Sequence, residues 1–184
     1  PAFAVGRTQD ILHHIGELQQ QKRLPRMEVY VDSPMALAAT RITLEYARLP
    51  EVDRVRFTED LEESKRINAV SSGAVIISAS GMATGGRVLH HLRHFAPDQR
   101  NTVLFAGYQA EGTRGAVMLS GAKTVRIHGQ DVPIAAEVRN IDALSAHADA
   151  DEILAWLKSG SATPKRTFIT HGELKAASAL QNRI

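Results

Sequence analysis

Three short stretches carry side chains that could do chemistry. Ser80-Gly-Met-Ala-Thr-Gly-Gly-Arg87 is small, glycine-rich and ends on a cation. Glycines let a backbone approach an anion closely, and a helix start offers free N–H groups and positive potential. Phosphate binding by Ser80, Gly81, Met82, Gly85, Gly86 and Arg87 is one reading, and an ordinary strand-to-helix turn is the other. No Gly-Lys-Ser/Thr is present, so this is not a Walker loop. Ser145-Ala-His147-Ala-Asp149 and Thr170-His171-Gly-Glu173 each set a histidine among small residues. An imidazole so placed can ligate a metal or carry a proton near neutral pH. Taken singly, each reads equally well as a hydrogen-bonded loop residue. Other histidines offer less. His90 and His94 stand one helical turn apart, a spacing that can bind metal. A metalloprotease helix would need Glu where His91 stands, so with Arg87 and Arg93 they read as a solvated basic face. His13 and His14 are adjacent, cannot share a helical face, and read as surface.

The elements that must position these residues follow from hydrophobic spacing. Ala74-Val-Ile-Ile77 is a continuous apolar run, as in a strand buried on both faces. After the glycine loop, Val88, Leu89 and Leu92 recur at helical spacing. In an open parallel sheet such a loop sits at the carboxyl edge, where ligands bind. Pro1 to Val5 reads as the end of a strand. Gly6-Arg7-Thr8 then opens a helix with Ile11, Leu12, Ile15 and Leu18 on one face, and Arg7 falls beside the same edge. Met27 to Val31 is a further strand. Asp32 follows it at the edge, read locally as a turn residue or second cap. Ser33 is a plausible N-cap and Pro34 the first helical residue. Met35 to Arg48 is helical, Val55 to Phe57 a strand, Leu61 to Ala69 a short helix, and Asn101 to Phe105 a strand that Gly107-Tyr108-Gln109 leaves at the edge. This alternation predicts an α/β fold, a mostly parallel sheet flanked by helices over residues 1 to about 112. Thr124–Ile127, Gln130–Ile134 and Glu137–Ile141 read as short strands, with His128-Gly129-Gln130 a hairpin turn of unassigned type. A domain boundary is expected near Asn140. Beyond it, Ile153, Leu154 and Leu157 space a helix, and Arg166 to Thr170 reads as a strand ending at His171.

Bulk composition excludes several classes. The 184 residues are 43% hydrophobic and 23% charged, which is globular rather than disordered. A count of 22 Lys+Arg against 20 Asp+Glu gives +2, too small to argue for nucleic acid by itself. Without cysteine there are no disulfides or thiolate metal sites, and a reducing compartment is allowed; the localisation expected is cytoplasmic. No apolar run approaches a membrane span and no signal peptide pattern is present. The chain starts without Met in an apparent strand and stops in an apparent helix, so it reads as a piece of something longer.

Five motifs in order carry a resemblance: Pro1-Ala-Phe-Ala-Val-Gly-Arg7, Asp32-Ser33-Pro-Met-Ala36, Ser80–Arg87, Ser145-Ala146-His147-Ala-Asp149 and Thr170-His171-Gly-Glu173. Together they resemble the β-CASP branch of the metallo-β-lactamase fold, which includes bacterial RNA-processing exonucleases and the nuclease subunit of the cleavage and polyadenylation factor. The resemblance covers essentially the whole chain. It implies most of a Rossmann-like β-CASP domain over 1–140, and the returning, truncated end of a metallo-β-lactamase αββα domain over 141–184. The family's His-x-His-x-Asp-His zinc motif and acidic motif A are absent from these residues.

The resemblance implies phosphodiester hydrolysis by a two-zinc site in the parent protein, the metals lowering the pKa of a bridging water. It makes His171 a zinc ligand and His147 the catalytic group beside the scissile phosphate. Ser80–Arg87, with Ser145 and Ala146, would grip the backbone of single-stranded RNA, and Arg7, Asp32, Ser33 and Tyr108 would edge the cleft. With one matched ligand, this chain alone is expected neither to hold zinc tightly nor to cleave RNA. A homodimer is allowed. Two other classes compete: a β-CASP-type nucleic-acid-binding scaffold without catalysis, and a nucleotide-binding Rossmann domain. The retained histidines speak against the first. The glycine spacing, which does not fit G-x-G-x-x-G, speaks against the second.

Overall fold

Valine and isoleucine runs set the centre of the molecule, because strands hidden on both faces must be apolar throughout. In the computed structural model, which describes residues 1–184, the apolar run Ala74–Ile77 and two strands of alternating character, one with the exposed Arg56 at its middle, form a three-stranded parallel sheet. They are β1 (Glu28–Asp32), β2 (Val55–Phe57) and β3 (Ala74–Ser78), with β1 in the middle. Val29 and Val31 of the central strand are wholly buried. Asp32 pairs in register with Ser78, so β1 and β3 end at one edge. Helix α1 (Arg7–Gln20) buries Leu12 and Ile15 in this core, and α2 (Pro34–Tyr46) buries Ala36. The Ser33 side chain caps α2 by accepting from the Ala36 N–H at 3.2 Å, with Pro34 at the first helical position. Helix α3 (Leu61–Arg66) continues as a 3-10 turn over Ile67–Ala69.

A second apolar cluster gathers around the fully buried Phe105. It takes Val88, Leu89 and Leu92 from α4 (Val88–Phe95), Val103 and Phe105 from β4 (Thr102–Phe105), and Met118 from α5 (Arg114–Leu119). Strands β5 (Thr124–Ile127) and β6 (Gln130–Pro133) form an antiparallel hairpin, and β7 (Glu137–Asn140) pairs in parallel with β4. The hairpin turn is type I′. His128 and Gly129 both have positive φ, 48° and 77°, which matches the twist of the flanking strands.

The architecture is α/β with mostly parallel pairing, as the alternation of elements predicts. It differs in that the pairing resolves into a three-stranded sheet, a parallel pair and a hairpin. Pro1 to Val5 is not a strand. Ala2 and Ala4 are buried and Phe3 and Val5 exposed, as in an extended segment, but its backbone ladder to β3 is the single bond from Ala2 N–H to Ser78 O, 3.0 Å.

Residues Pro1–Leu144 form one unit and Ser145–Ile184 another. The second unit contributes α6 (Ala150–Lys158), α7 (Leu174–Gln181) and no strand. Asp149 and Glu152 start α6 with a reciprocal capping box. The expected strand at Arg166–Thr170 is irregular, because a strand needs a ladder partner and this unit supplies none. Trp156, Phe168 and Leu174 are exposed. No helix is long and apolar enough to cross a membrane.

Candidate functional site

The shared edge of β1 and β3 carries an open groove of about 400 Å³. One wall is the start of α2, Ser33-Pro34-Met35. The other is Ala79, Ser80, Gly85, Gly86 and Arg87, with Asp32 in the floor.

Asp32 is the electrostatic centre of this edge. Its side chain is fully buried, and four donors converge on it. Ser64 Oγ donates to Oδ2 at 2.6 Å, Arg87 Nη1 to Oδ1 at 2.7 Å, and the Thr58 hydroxyl also to Oδ1. His91 Nε2 lies 2.6 Å from Oδ2. Burial alone would raise the Asp32 pKa, but the bonds from His91, Ser64, Thr58 and Arg87 together outweigh it and hold the carboxyl well below the usual carboxylate range. An ionised carboxylate only accepts, so His91 Nε2 carries the proton they share. The opposite nitrogen, Nδ1, is buried without a partner.

This hub fixes Arg87. Its Nη1 also donates to Thr58 Oγ1 at 3.3 Å, and its Nη2 to Glu59 O at 3.4 Å. A guanidinium has five N–H groups, so Nε–H and one Nη2–H are left over. The side chain keeps 22% exposure, enough to offer charge to the groove.

The loop between β3 and α4 is folded on Ser80. Its Oγ accepts from the N–H groups of Thr84, 3.0 Å, and Gly85, 3.3 Å, and donates to Gly85 O at 3.1 Å. The N–H groups of Gly86 and Arg87, both lining the groove, are not consumed in this way. Gly86 has φ 84°, and a Cβ there would lie 2.5 Å from Ala79 O, so only glycine fits. The geometry can cradle an anion: a fixed cation, two backbone donors and a helix start on one wall.

Not every expected residue faces this groove. Gly81 is buried with its backbone against the Phe3 ring, and its carbonyl accepts from Gln109 Nε2 at 3.1 Å. Met82 O accepts from Gly115 N–H. Both residues brace the loop from behind, and the Gln109 bond brings the Gly107–Gln109 turn, with Tyr108, against it. Arg7 is paired with Asp10 at 3.1 Å and does not line the groove. Sequence reasoning missed Thr58, Ser64 and His91 as partners of Asp32. No spacing signals them, since they converge from a loop, α3 and α4.

In the second unit His147 and His171 are both exposed. The His147 N–H donates to Ser145 Oγ at 3.2 Å just ahead of the α6 cap, so Ser145 and Ala146 form its turn. His171 and Gly172 both have positive φ, 69° and 85°, which turns the chain sharply at the imidazole. Each ring is a donor of the kind zinc takes, but this chain does not complete a three- or four-ligand site around either. The one group of three ligating side chains is elsewhere: His13, His14 and Glu17 on α1. His13 and His14 lie at the surface as expected, and Glu17, placed between them, joins them in one group although they do not share a face.

Two family models match the chain. The Beta-Casp domain model matches residues 8–118, and the model described as a Zn-dependent metallo-hydrolase RNA specificity domain matches 131–184. The chain is 37% identical over 198 residues to ribonuclease TTHA0252 of Thermus thermophilus, covering 98% of this chain and 44% of that protein. It is 29% identical over 204 residues to transcription termination factor FttA of Methanosarcina mazei, covering 100% and 32%. It is 30% identical over 181 residues to an RNase J-like protein of Methanocaldococcus jannaschii, covering 94% and 42%. The chain thus spans less than half the length of these curated relatives.

Proposed function

The chain belongs to the β-CASP family of the metallo-β-lactamase fold, and on that premise we propose that it forms the RNA-gripping wall of an RNA-processing phosphodiester hydrolase. The observation that carries the reading is the groove between α2 and the Ser80–Arg87 loop, with Arg87 locked by Asp32. A locked cation and fixed backbone donors contact phosphate oxygens without reading bases, as a processing enzyme acting on many sequences requires. The RNA is proposed to lie in the groove as a single strand.

His147 is proposed as the group beside the scissile phosphate, where an imidazole can stabilise charge or protonate the leaving oxygen. His171 is proposed as one ligand of zinc, the metal its matched domain description names, completed by side chains from elsewhere in the protein. The division of labour is testable in the whole protein by metal analysis beside single-turnover RNA cleavage. His171→Ala should lose both metal and activity. His147→Ala should lose turnover with metal largely retained. Equal metal loss in both variants would assign the two histidines to the same role and contradict the proposal.

A further inference from the structure

Helix α1 carries a cluster that RNA hydrolysis does not use. His13, His14 and Glu17 offer ligand atoms that all lie within 4.8 Å of one another. Adjacent helical residues point about 100° apart, and the residue one turn on falls between them. Glu17 fills that place: its Oε1 is 3.4 Å from His13 Nε2 and its Oε2 is 3.1 Å from His14 Nδ1. The two rings meet edge to face with centroids 5.4 Å apart. Glu17 makes its ion pairs with these two rings alone, and the arginine nearest in the helix, Arg7, is taken by Asp10. No fixed cation therefore occupies the space between the three side chains.

Two imidazoles and a carboxylate are a donor set for zinc and its neighbours in the first transition row. Ligands bonded at roughly 2.0–2.1 Å around a tetrahedral ion stand about 3.4 Å from one another. Side chains that are 41%, 52% and 43% exposed have room to rotate and close the present separation. We propose that His13, His14 and Glu17 form a surface site for a borderline divalent cation, zinc(II) foremost, with a fourth position open to water or to a ligand from another molecule.

The test is a calorimetric titration of zinc(II) onto the protein as purified, with metal analysis of the dialysed product. Wild type should take up one equivalent that His14→Ala and Glu17→Gln bind more than about tenfold more weakly, since even outer-shell changes cost that much. His171→Ala, remote in sequence and on another unit, should keep the equivalent whether or not its own proposed role holds. Saturating zinc should raise the melting temperature of wild type by more than that of His14→Ala. All three side chains are partly exposed, so these variants should fold. Identical zinc uptake by wild type and the His13→Ala/His14→Ala double variant would overturn the proposal. So would the absence of any uptake by wild type.

Discussion

Asp32 shows how one carboxylate organises this chain. Four partners surround it because an ionised group without water must have every lone pair answered. Asp32→Asn removes the charge that holds Arg87 and His91 and sets an amide against donors. It should cost on the order of 3 kcal/mol of stability at neutral pH, read from denaturant unfolding. The pH dependence has a fixed sign. The folded carboxyl is held below its ordinary value of 3.8, so the unfolded chain binds the proton first on acidification. The stabilisation is therefore full above that value and is lost as pH falls below it towards the folded value. Wild-type unfolding free energy should drop more steeply than that of Asp32→Asn below about pH 4. Parallel slopes would show that Asp32 is not held ionised. Little of this was legible beforehand. Asp32-Ser33-Pro34 announces a strand end and a cap, and the cap is there, but burial and long-range donors leave no trace in local spacing.

At the level of elements, the β3–loop–α4 unit was the most readable. An unbroken apolar run, a glycine pair and a helical repeat are each dictated by local physics, and their order leaves one arrangement. Arg166–Thr170 shows the converse. Its composition suits a strand, yet without a ladder partner in its unit the backbone stays irregular. The His13-His14-x-x-Glu17 pattern was also readable in principle, since the i, i+3 and i, i+4 relations to Glu17 were there to find. The relation of His13 to His14 alone does not reveal it. Gly86→Ala is the sharpest probe of the loop. Its Cβ would lie 2.5 Å from Ala79 O at φ 84°, so the loop must open. RNA affinity should fall at least about tenfold, equivalent to roughly 1.4 kcal/mol, while far-UV circular dichroism stays unchanged. Unaltered affinity would mean that the loop's closed form is not what binds.

For the whole molecule, the balance of +2 gives no global attraction for a polyanion, so affinity must come from placed charges. The two units also differ in how much they bury. Neither α6 nor α7 has a buried residue, and Trp156, the chain's one tryptophan, is 74% exposed. This chain should therefore show indole emission typical of a water-exposed ring, readily quenched by acrylamide. Amides of α6 and α7 should exchange well before those of β1 and β3. A blue-shifted, protected tryptophan would contradict that picture. The central claim, that the Ser80–Arg87 wall grips phosphate, is tested most directly by the salt dependence of single-stranded RNA binding in wild type and Arg87→Ala. The variant should bind all sequences more weakly, and its slope of log affinity against log salt should be shallower by about 0.7, because one phosphate is no longer neutralised. Unchanged affinity and slope in a folded Arg87→Ala protein would contradict the account and leave the loop as a turn in the chain.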